Sequence, residues 1–353
     1  MNTSLGGFIP PINDEFDIIS QVGRGGYGNV FKAVENSTGD VVALKKVNTF
    51  NTHSGLPLAY YREVKCLKEL KESDNVLNIR RVIKSEDEHC LYLVLDYCEY
   101  DLSGLIHKHG LSADQIKSYM KQILLGTQAI HSKGFVHRDF KPSNILVTKN
   151  NVLKIADFGL ARKLDKNRPL TPKVMTQSYR PPEILLGESN YDHSVDIWSL
   201  ACVFYEMLTG KVLFKPSTSS DVSQLCSIFQ ICGSPNEQNW PGFDELPNSD
   251  FVKMMRSFNP VLRELLEQTI PSQFHSLIGL LESMLQLDPS KRINVQQALD
   301  HPFFSDDFVL PMLTHPEAHA MNVFSVNVPL AKNIERMKNF LRPERVLPPP
   351  ILA

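Results

Sequence analysis

The stretch His137-Arg138-Asp139-Phe140-Lys141-Pro142-Ser143-Asn144, followed after a strand-like run by Asp157-Phe158-Gly159, decides the reading of this chain. It carries the order H-R-D-x-x-x-x-N and then D-F-G, a combination too long to arise by chance. Moving a phosphoryl group requires a proton acceptor for the attacking hydroxyl and charge neutralisation around the group in flight. Asp139 fits the first role, and Lys141, holding the γ-phosphate, fits the second. Asn144 and Asp157 offer oxygen atoms, the ligands preferred by a hard cation such as Mg²⁺.

Upstream, Gly23-Arg24-Gly25-Gly26-Tyr27-Gly28 satisfies G-x-G-x-x-G, which alone also fits a dinucleotide-binding turn. That turn needs a helix opening at its third glycine. Here Asn29 to Val34, the turn cluster Asn36-Ser37-Thr38-Gly39-Asp40 and Val41 to Val47 read instead as strand, turn, strand. The glycines therefore read as a flap whose backbone N–H groups approach phosphates with no side chains in the way. Lys45 lies on the next strand and Glu63 on the helix predicted over Gly55 to Leu70, where the two can pair and aim the ammonium at the α- and β-phosphates. Strand-like runs at Val76 to Lys84 and His89 to Tyr97 complete a β-rich unit.

After Asp101 the pattern turns helical. Ser112-Ala113-Asp114-Gln115 has the form of a capping box, and Ile116, Met120, Ile123, Leu124 and Ile130 share one face before Gly134. Ile197 to Leu208 is the longest apolar run; it is shorter than the roughly 20 residues of a membrane span and reads as a buried helix. Helices extend to Phe304, so the predicted class is α+β: a small β-rich lobe with one main helix and a larger, mainly helical lobe. The boundary is expected near Cys98 to Asp101.

With 353 residues, at roughly 150 per domain, two or three packed units are expected. The 37 basic and 39 acidic side chains nearly cancel, so no global field draws the chain to nucleic acid or an anionic membrane. Neither partner is expected. The six cysteines contain no C-x-x-C pair and fit reduced thiols in a nuclear or cytosolic compartment. No basic region followed by an apolar one marks a secretory signal at the N-terminus.

These motifs together resemble the eukaryotic protein kinases over residues 16 to 304. Arg180-Pro181-Pro182-Glu183 stands where that family has A-P-E, with Arg292 as the expected partner of Glu183, and Asp196-Ile197-Trp198-Ser199 marks the central helix. The resemblance implies a bilobal protein kinase fold: small lobe 16–97, hinge 96–101, large lobe 102–304, flanked by extensions 1–15 and 305–353. Lys141, two places after Asp139, is the serine/threonine pattern. Within the kinases the chain is similar to the cyclin-dependent type, through Gly55-Leu56-Pro57-Leu58-Ala59-Tyr60-Tyr61-Arg62-Glu63, Asp157-Phe158-Gly159-Leu160-Ala161-Arg162 and Cys232-Gly233-Ser234-Pro235-Asn236. Arg62-Glu63-Val64-Lys65, Pro181-Pro182 and Arg168-Pro169-Leu170-Thr171 resemble the branch that phosphorylates the RNA polymerase II tail. A cell-cycle member is the alternative, and a catalytically inactive scaffold is the alternative of a different class.

The resemblance implies further roles. Adenine sits between Val22, Val30 and Ala43 on one side and Leu146 on the other, with hydrogen bonds from the backbone of Asp96 and Cys98 and with Leu95 as gatekeeper. Asp101 either reaches the ribose or caps a helix. Arg62, Arg138 and Arg162 converge on a phosphate at Thr171, whose charge of about −2 orders the activation loop. Tyr27 is either an inhibitory phosphosite or a shield over the ATP phosphates. Substrates are expected to carry Ser-Pro or Thr-Pro, through the loop near Val174 and Arg180. Ser178 replaces the family's tryptophan, which predicts a looser loop anchor. A cyclin partner and a nuclear location follow from the same resemblance, and Ala331 to Leu341 has the pattern of a short helix.

Overall fold

The computed structural model describes residues 14–25, 28–48, 58–85, 90–165, 169–171, 175–305 and 313. Gly26 and Tyr27, the Gly55-Leu56-Pro57 start of the expected helix, Arg168, Val174 and the segment from Ala331 to Leu341 lie outside the described residues.

Strands β1 (Phe16–Gly25), β2 (Gly28–Glu35) and β3 (Val41–Asn48) are followed by helix α1 (Leu58–Glu69), β4 (Ile79–Ser85) and β5 (Cys90–Asp96). They build an antiparallel sheet of order β1-β2-β3-β5-β4. Gly25 pairs with Gly28, so the glycine-rich segment is the tip of a hairpin rather than the start of a helix. Side chains alternate across the sheet as a period of two requires. Val30, Ala43, Leu93 and Leu95 face α1 and the main core, whereas Phe31, Val42, Leu44, Tyr92 and Val94 form a second cluster on the opposite face. On α1, Tyr60, Glu63 and Leu67 recur at helical spacing and are buried, and Leu70 just past its end is buried too.

The expected strand over Val76 to Lys84 starts later, at Ile79. Val76 instead bridges to Ile155, and Leu77 donates to the Ile155 carbonyl, so this stretch leaves the sheet and inserts into the large lobe. Asn75 secures it, donating to the Leu153 carbonyl and the Gln122 side chain.

After β5 come β6 (Tyr100–Asp101), a short α2 (Leu102–Gly104) and α3 (Ala113–Ser132). The capping box at Ser112 and Gln115 is formed, and Gly134, at φ 75°, ends the helix region. Five strands of two or three residues carry no readable periodicity and form two small sheets: β6 with β8 (Ile145–Val147) and β9 (Leu153–Ile155), and β7 (Phe135–Val136) with β10 (Arg162–Lys163). Helix α4 (Pro182–Leu185) precedes α5 (Ser194–Thr209), which is buried from Val195 to Leu208; Trp198 stacks on Phe214. Helices α6 (Asp221–Cys232), α7 (Asp250–Lys253), α8 (Leu262–Thr269), α9 (Ile278–Met284) and α10 (Val295–Leu299) complete the large lobe. No helix among the described residues is long and apolar enough to cross a membrane.

Candidate active site

Strand β3 delivers Lys45 and helix α1 delivers Glu63, both to the buried side of the sheet. The ammonium donates to the two Glu63 carboxylate oxygens at 2.7 and 2.8 Å. Burial pushes the Glu63 carboxyl above its ordinary value, Lys45 opposes that rise and the charge of Asp157 adds to it. Glu63 thus binds Lys45 because two buried charges at this distance are costly apart.

The segment from His137 to Asn144 runs between β7 and β8 and is held by fixed partners. Asp196, at the start of α5, accepts from the backbone N–H of His137 and of Arg138 at 2.9 Å each, and from His131 Nε2 at 2.9 Å. These contacts support Arg138 at φ 68°, a left-handed conformation that a bulky side chain rarely adopts. Burial acts to raise the Asp196 carboxyl, but the hydrogen bond from His131 and neighbouring donors leave it below its ordinary value. The His137 ring lies between Phe140 and Phe158, accepting the Asp139 N–H at Nδ1 and facing the Ala156 carbonyl with Nε2.

Asp139 Oδ2 accepts from Lys141 Nζ and Asn144 Nδ2, both at 2.8 Å, and Oδ1 accepts from the Thr176 hydroxyl at 2.8 Å and its N–H at 3.0 Å. Burial raises this carboxyl, yet the charge and hydrogen bond of Lys141, with the Thr176 hydroxyl, outweigh it and leave Asp139 below the usual range. A carboxylate held ionised in a nearly closed site is a proton acceptor with fixed orientation. Thr176 joins this cluster from a distant part of the chain and carried no signal in the sequence.

Asn144 spends its Nδ2 on the Asp139 carbonyl and carboxylate, while its Oδ1 is buried and has no partner among the described residues. Leaving a buried carbonyl unpaired costs about 1–3 kcal/mol. Asp157 follows β9 in a left-handed conformation, φ 62°, with Phe158 fully buried behind it. An orphan amide oxygen and a carboxylate form a donor set that fits Mg²⁺.

Val22, Val30, Ala43, Leu95 and Leu146 are all buried. Leu95 pairs with Ala43 across the sheet, and Leu146 comes up from β8 opposite Asp101. Asp96 donates its N–H to the Asn78 carbonyl at 3.2 Å, and its carboxylate accepts from Arg80 Nε at 2.9 Å. Cys98 is buried, which pushes its thiol well up. Asp101 caps α2, accepting from the Gly104 N–H at 2.7 Å, so of its two readings the helix cap is formed. Gly23 is buried and the backbones of Arg24, Gly25 and Gly28 belong to the hairpin, whereas Gly26 and Tyr27 lie outside the described residues.

Arg138 is enclosed: Nε and Nη2 donate to the Leu160 carbonyl and Nη1 to the Tyr191 hydroxyl at 2.8 Å. Tyr191 in turn donates to the Thr171 carbonyl at 2.9 Å. Thr171 itself is exposed, and Arg62 and Arg162 are partly buried. Gln177 and Tyr179, on either side of Ser178, are each held by hydrogen bonds although Ser178 brings no large ring. Tyr179 donates to Glu206 Oε2 at 2.7 Å, Gln177 donates to the Ser220 carbonyl at 2.8 Å, and Ser199 donates to the Tyr179 carbonyl at 2.8 Å. The loop expected near Val174 is described from Met175, which stands at φ 79° with its carbonyl taken by Arg180 Nη2 at 2.9 Å. Arg180 Nη1 also bonds Asp221 at 2.8 Å, and Arg292 closes on Glu183.

Residues 16–304 match the family described as protein kinase domain. The chain is 40% identical over 312 residues to cyclin-dependent kinase C-2 of Arabidopsis thaliana, covering 83% of this chain and 60% of that one. It spans about 60% of the length of the plant relatives it matches. Among solved structures it is similar to the CAK complex of Chaetomium thermophilum bound to ATP-gamma-S, at TM-score 0.77 and 31% identity, covering 87% of this chain and 95% of that one. The yeast RNA Pol II CTD kinase CTDK-1 complex matches equally, at TM-score 0.77 and 31% identity, with 88% and 99% covered.

Proposed function

The chain belongs to the protein kinase family, with cyclin-dependent kinases among its relatives, and from that premise we propose that it is a cyclin-activated, proline-directed serine/threonine kinase of transcription control. The observation that carries the catalytic reading is the simultaneous closure of Lys45 on Glu63 and of Lys141 and Thr176 on Asp139. The complete set of Lys45, Asp139, Asn144 and Asp157 argues against a scaffold without catalysis.

In this reading ATP binds between the lobes with adenine against Val22, Val30, Ala43 and Leu146, and with the hinge backbone at Asp96 and Cys98 bonding the base. Lys45 orients the α- and β-phosphates. The substrate hydroxyl oxygen bonds to the γ-phosphorus as the bond to the β,γ-bridging oxygen breaks; ADP leaves, and the hydroxyl proton passes to the Asp139 carboxylate. Lys141 neutralises charge on the transferred group. Asn144 and Asp157 would hold Mg²⁺, which supplies further neutralisation of phosphate charge when bound.

Proline direction has a physical basis in Met175. Its carbonyl is already engaged by Arg180, so a substrate residue following the acceptor finds no partner there for an N–H, and proline has none to satisfy. The Arg62, Arg138 and Arg162 side chains are proposed to receive a phosphate on Thr171. Tyr61, 60% exposed on α1, offers an aromatic contact to a cyclin. The likeness to the yeast Pol II CTD kinase complex supports the polymerase tail as substrate and the nucleus as location.

The test is labelling from Mg-ATP of polymerase-tail repeat peptides by the chain in complex with co-purified cyclin. Phosphate is expected on Ser-Pro peptides, with a loss of roughly 10²–10⁴-fold in Asp139→Asn. Equal labelling by both proteins would refute the assignment.

A further inference from the structure

The Arg138 guanidinium has five N–H groups, and three of them are committed: two to the Leu160 carbonyl, at 2.8 and 2.5 Å, and one to the Tyr191 hydroxyl at 2.8 Å. Tyr191 comes from the segment between α4 and α5, and its phenol is used in both senses. It accepts from Arg138 and donates to the main-chain carbonyl of Thr171 at 2.9 Å. The charge at one end polarises the phenol and strengthens the bond at the other. The neighbouring residue is fixed separately, since Leu170 donates its N–H to the Ser189 carbonyl at 2.8 Å and packs on a small cluster of Val136, Met175, Ile184, Tyr191 and Val195. The Thr171 backbone is therefore linked to Arg138 through the single phenol of Tyr191.

We propose that Tyr191 is a positioning residue that holds Thr171 beside Arg138 in the unmodified chain. The phenol does in neutral form part of what a phosphate on Thr171 does by charge: it tethers the Thr171 backbone and supports a basal rate in the unmodified enzyme. Once phosphate is present it bonds arginine directly, and the phenol bridge becomes redundant. This inference rests on the reading above that phospho-Thr171 is the activating form.

Tyr191→Phe keeps the ring in its apolar cluster and deletes both hydrogen bonds. Turnover of a Ser-Pro peptide is compared between wild type and Y191F, each prepared with Thr171 unmodified and with Thr171 phosphorylated, in complex with cyclin. Y191F is expected to lower the unmodified rate about fivefold, the size of one modest hydrogen bond, and to leave the phosphorylated rate within about twofold, so the activation ratio rises. A residue with a merely structural role lowers both forms alike and leaves that ratio where it was. Equal loss in both forms, or no loss in either, overturns the proposal. If wild type shows no activation by phosphate, the reading of Thr171 fails on its own. The rate of tryptic cleavage between Leu164 and Met175 in the unmodified chain then decides the tether: faster cleavage in Y191F supports it, and an unchanged rate overturns it.

Discussion

Arg292 meets Glu183 through two parallel hydrogen bonds of 2.6 Å, although the residues lie 109 positions apart in the chain. The pair is fully buried, and the remaining donors of Arg292 go to the carbonyls of Gln286, Leu287 and Ser194. It ties α4, which ends the loop carrying Met175 to Arg180, to the segment after α9.

Arg292→Ala strands a buried carboxylate and is expected to cost about 3–5 kcal/mol. Arg292→Lys should recover little, because a point charge cannot reproduce the planar two-bond geometry or the further carbonyl contacts. Urea unfolding reads the loss as a lower midpoint. A lysine variant with the wild-type midpoint would show that charge alone suffices.

The Asp139 carboxyl lies below its ordinary value, with Lys141 the main opponent of burial. A depressed carboxyl keeps its charge above the ordinary range and loses it only as pH falls through the lowered value. The wild-type kcat/KM profile is therefore expected to show no acid limb from Asp139 above the ordinary value of about 3.9. Removing the ammonium in Lys141→Ala leaves burial less opposed, so the acid limb of the residual activity should move toward neutrality. Superimposable acid limbs in the two proteins would contradict this account of Asp139.

Local signals and long-range ones differed in how legible they were. Ser112 and Gln115 announce α3 because a capping box is complete within four residues, and the Gly25–Gly28 hairpin tip follows from strand-like runs on either side. The spaced motif placed Asp139, Lys141 and Asn144 in one cluster. Thr176, Tyr191 and Asn75 were invisible because each acts only through a partner that folding brings near: Asp139, Thr171 and Leu153. The strands β6 to β10 escaped for a different reason, as two or three residues contain no readable period.

Gly126 is a further position of this second kind. It lies within α3, where glycine costs helix stability relative to alanine by about 1 kcal/mol. A Cβ there would stand 2.8 Å from the Asn75 carbonyl and 2.6 Å from Ile155 Cδ1. The side-chain tip can give way, but the carbonyl belongs to the segment that enters the large lobe and is bonded to the Ile155 N–H. Gly126→Ala is expected to be net destabilising by about 1–2 kcal/mol, as overpacking outweighs the gain in helix propensity. Thermal unfolding should fall, and amide exchange should quicken at Leu77 and Ile155. A raised melting temperature would mean that the contact relaxes at little cost.

Met175 combines a strained backbone with an occupied carbonyl, and the two have one source. At φ 79° a non-glycine residue carries about 1–3 kcal/mol of strain, which persists only where surroundings hold it. Arg180 supplies that hold, with Nη2 on the Met175 carbonyl at 2.9 Å and Nη1 on Asp221 at 2.8 Å. Arg180→Ala frees the carbonyl to accept a substrate N–H, so a peptide with alanine after the acceptor serine gains a partner and one with proline gains nothing. The ratio of kcat/KM for Ser-Pro over Ser-Ala peptides should fall roughly tenfold, within the range set by one unpaired N–H. Asp221→Asn is the control: it removes the ion pair and leaves Arg180 able to reach Met175, so the ratio should stay within about twofold. An active Arg180→Ala enzyme with an undiminished preference for proline would place the origin of that preference elsewhere than at the Met175 carbonyl.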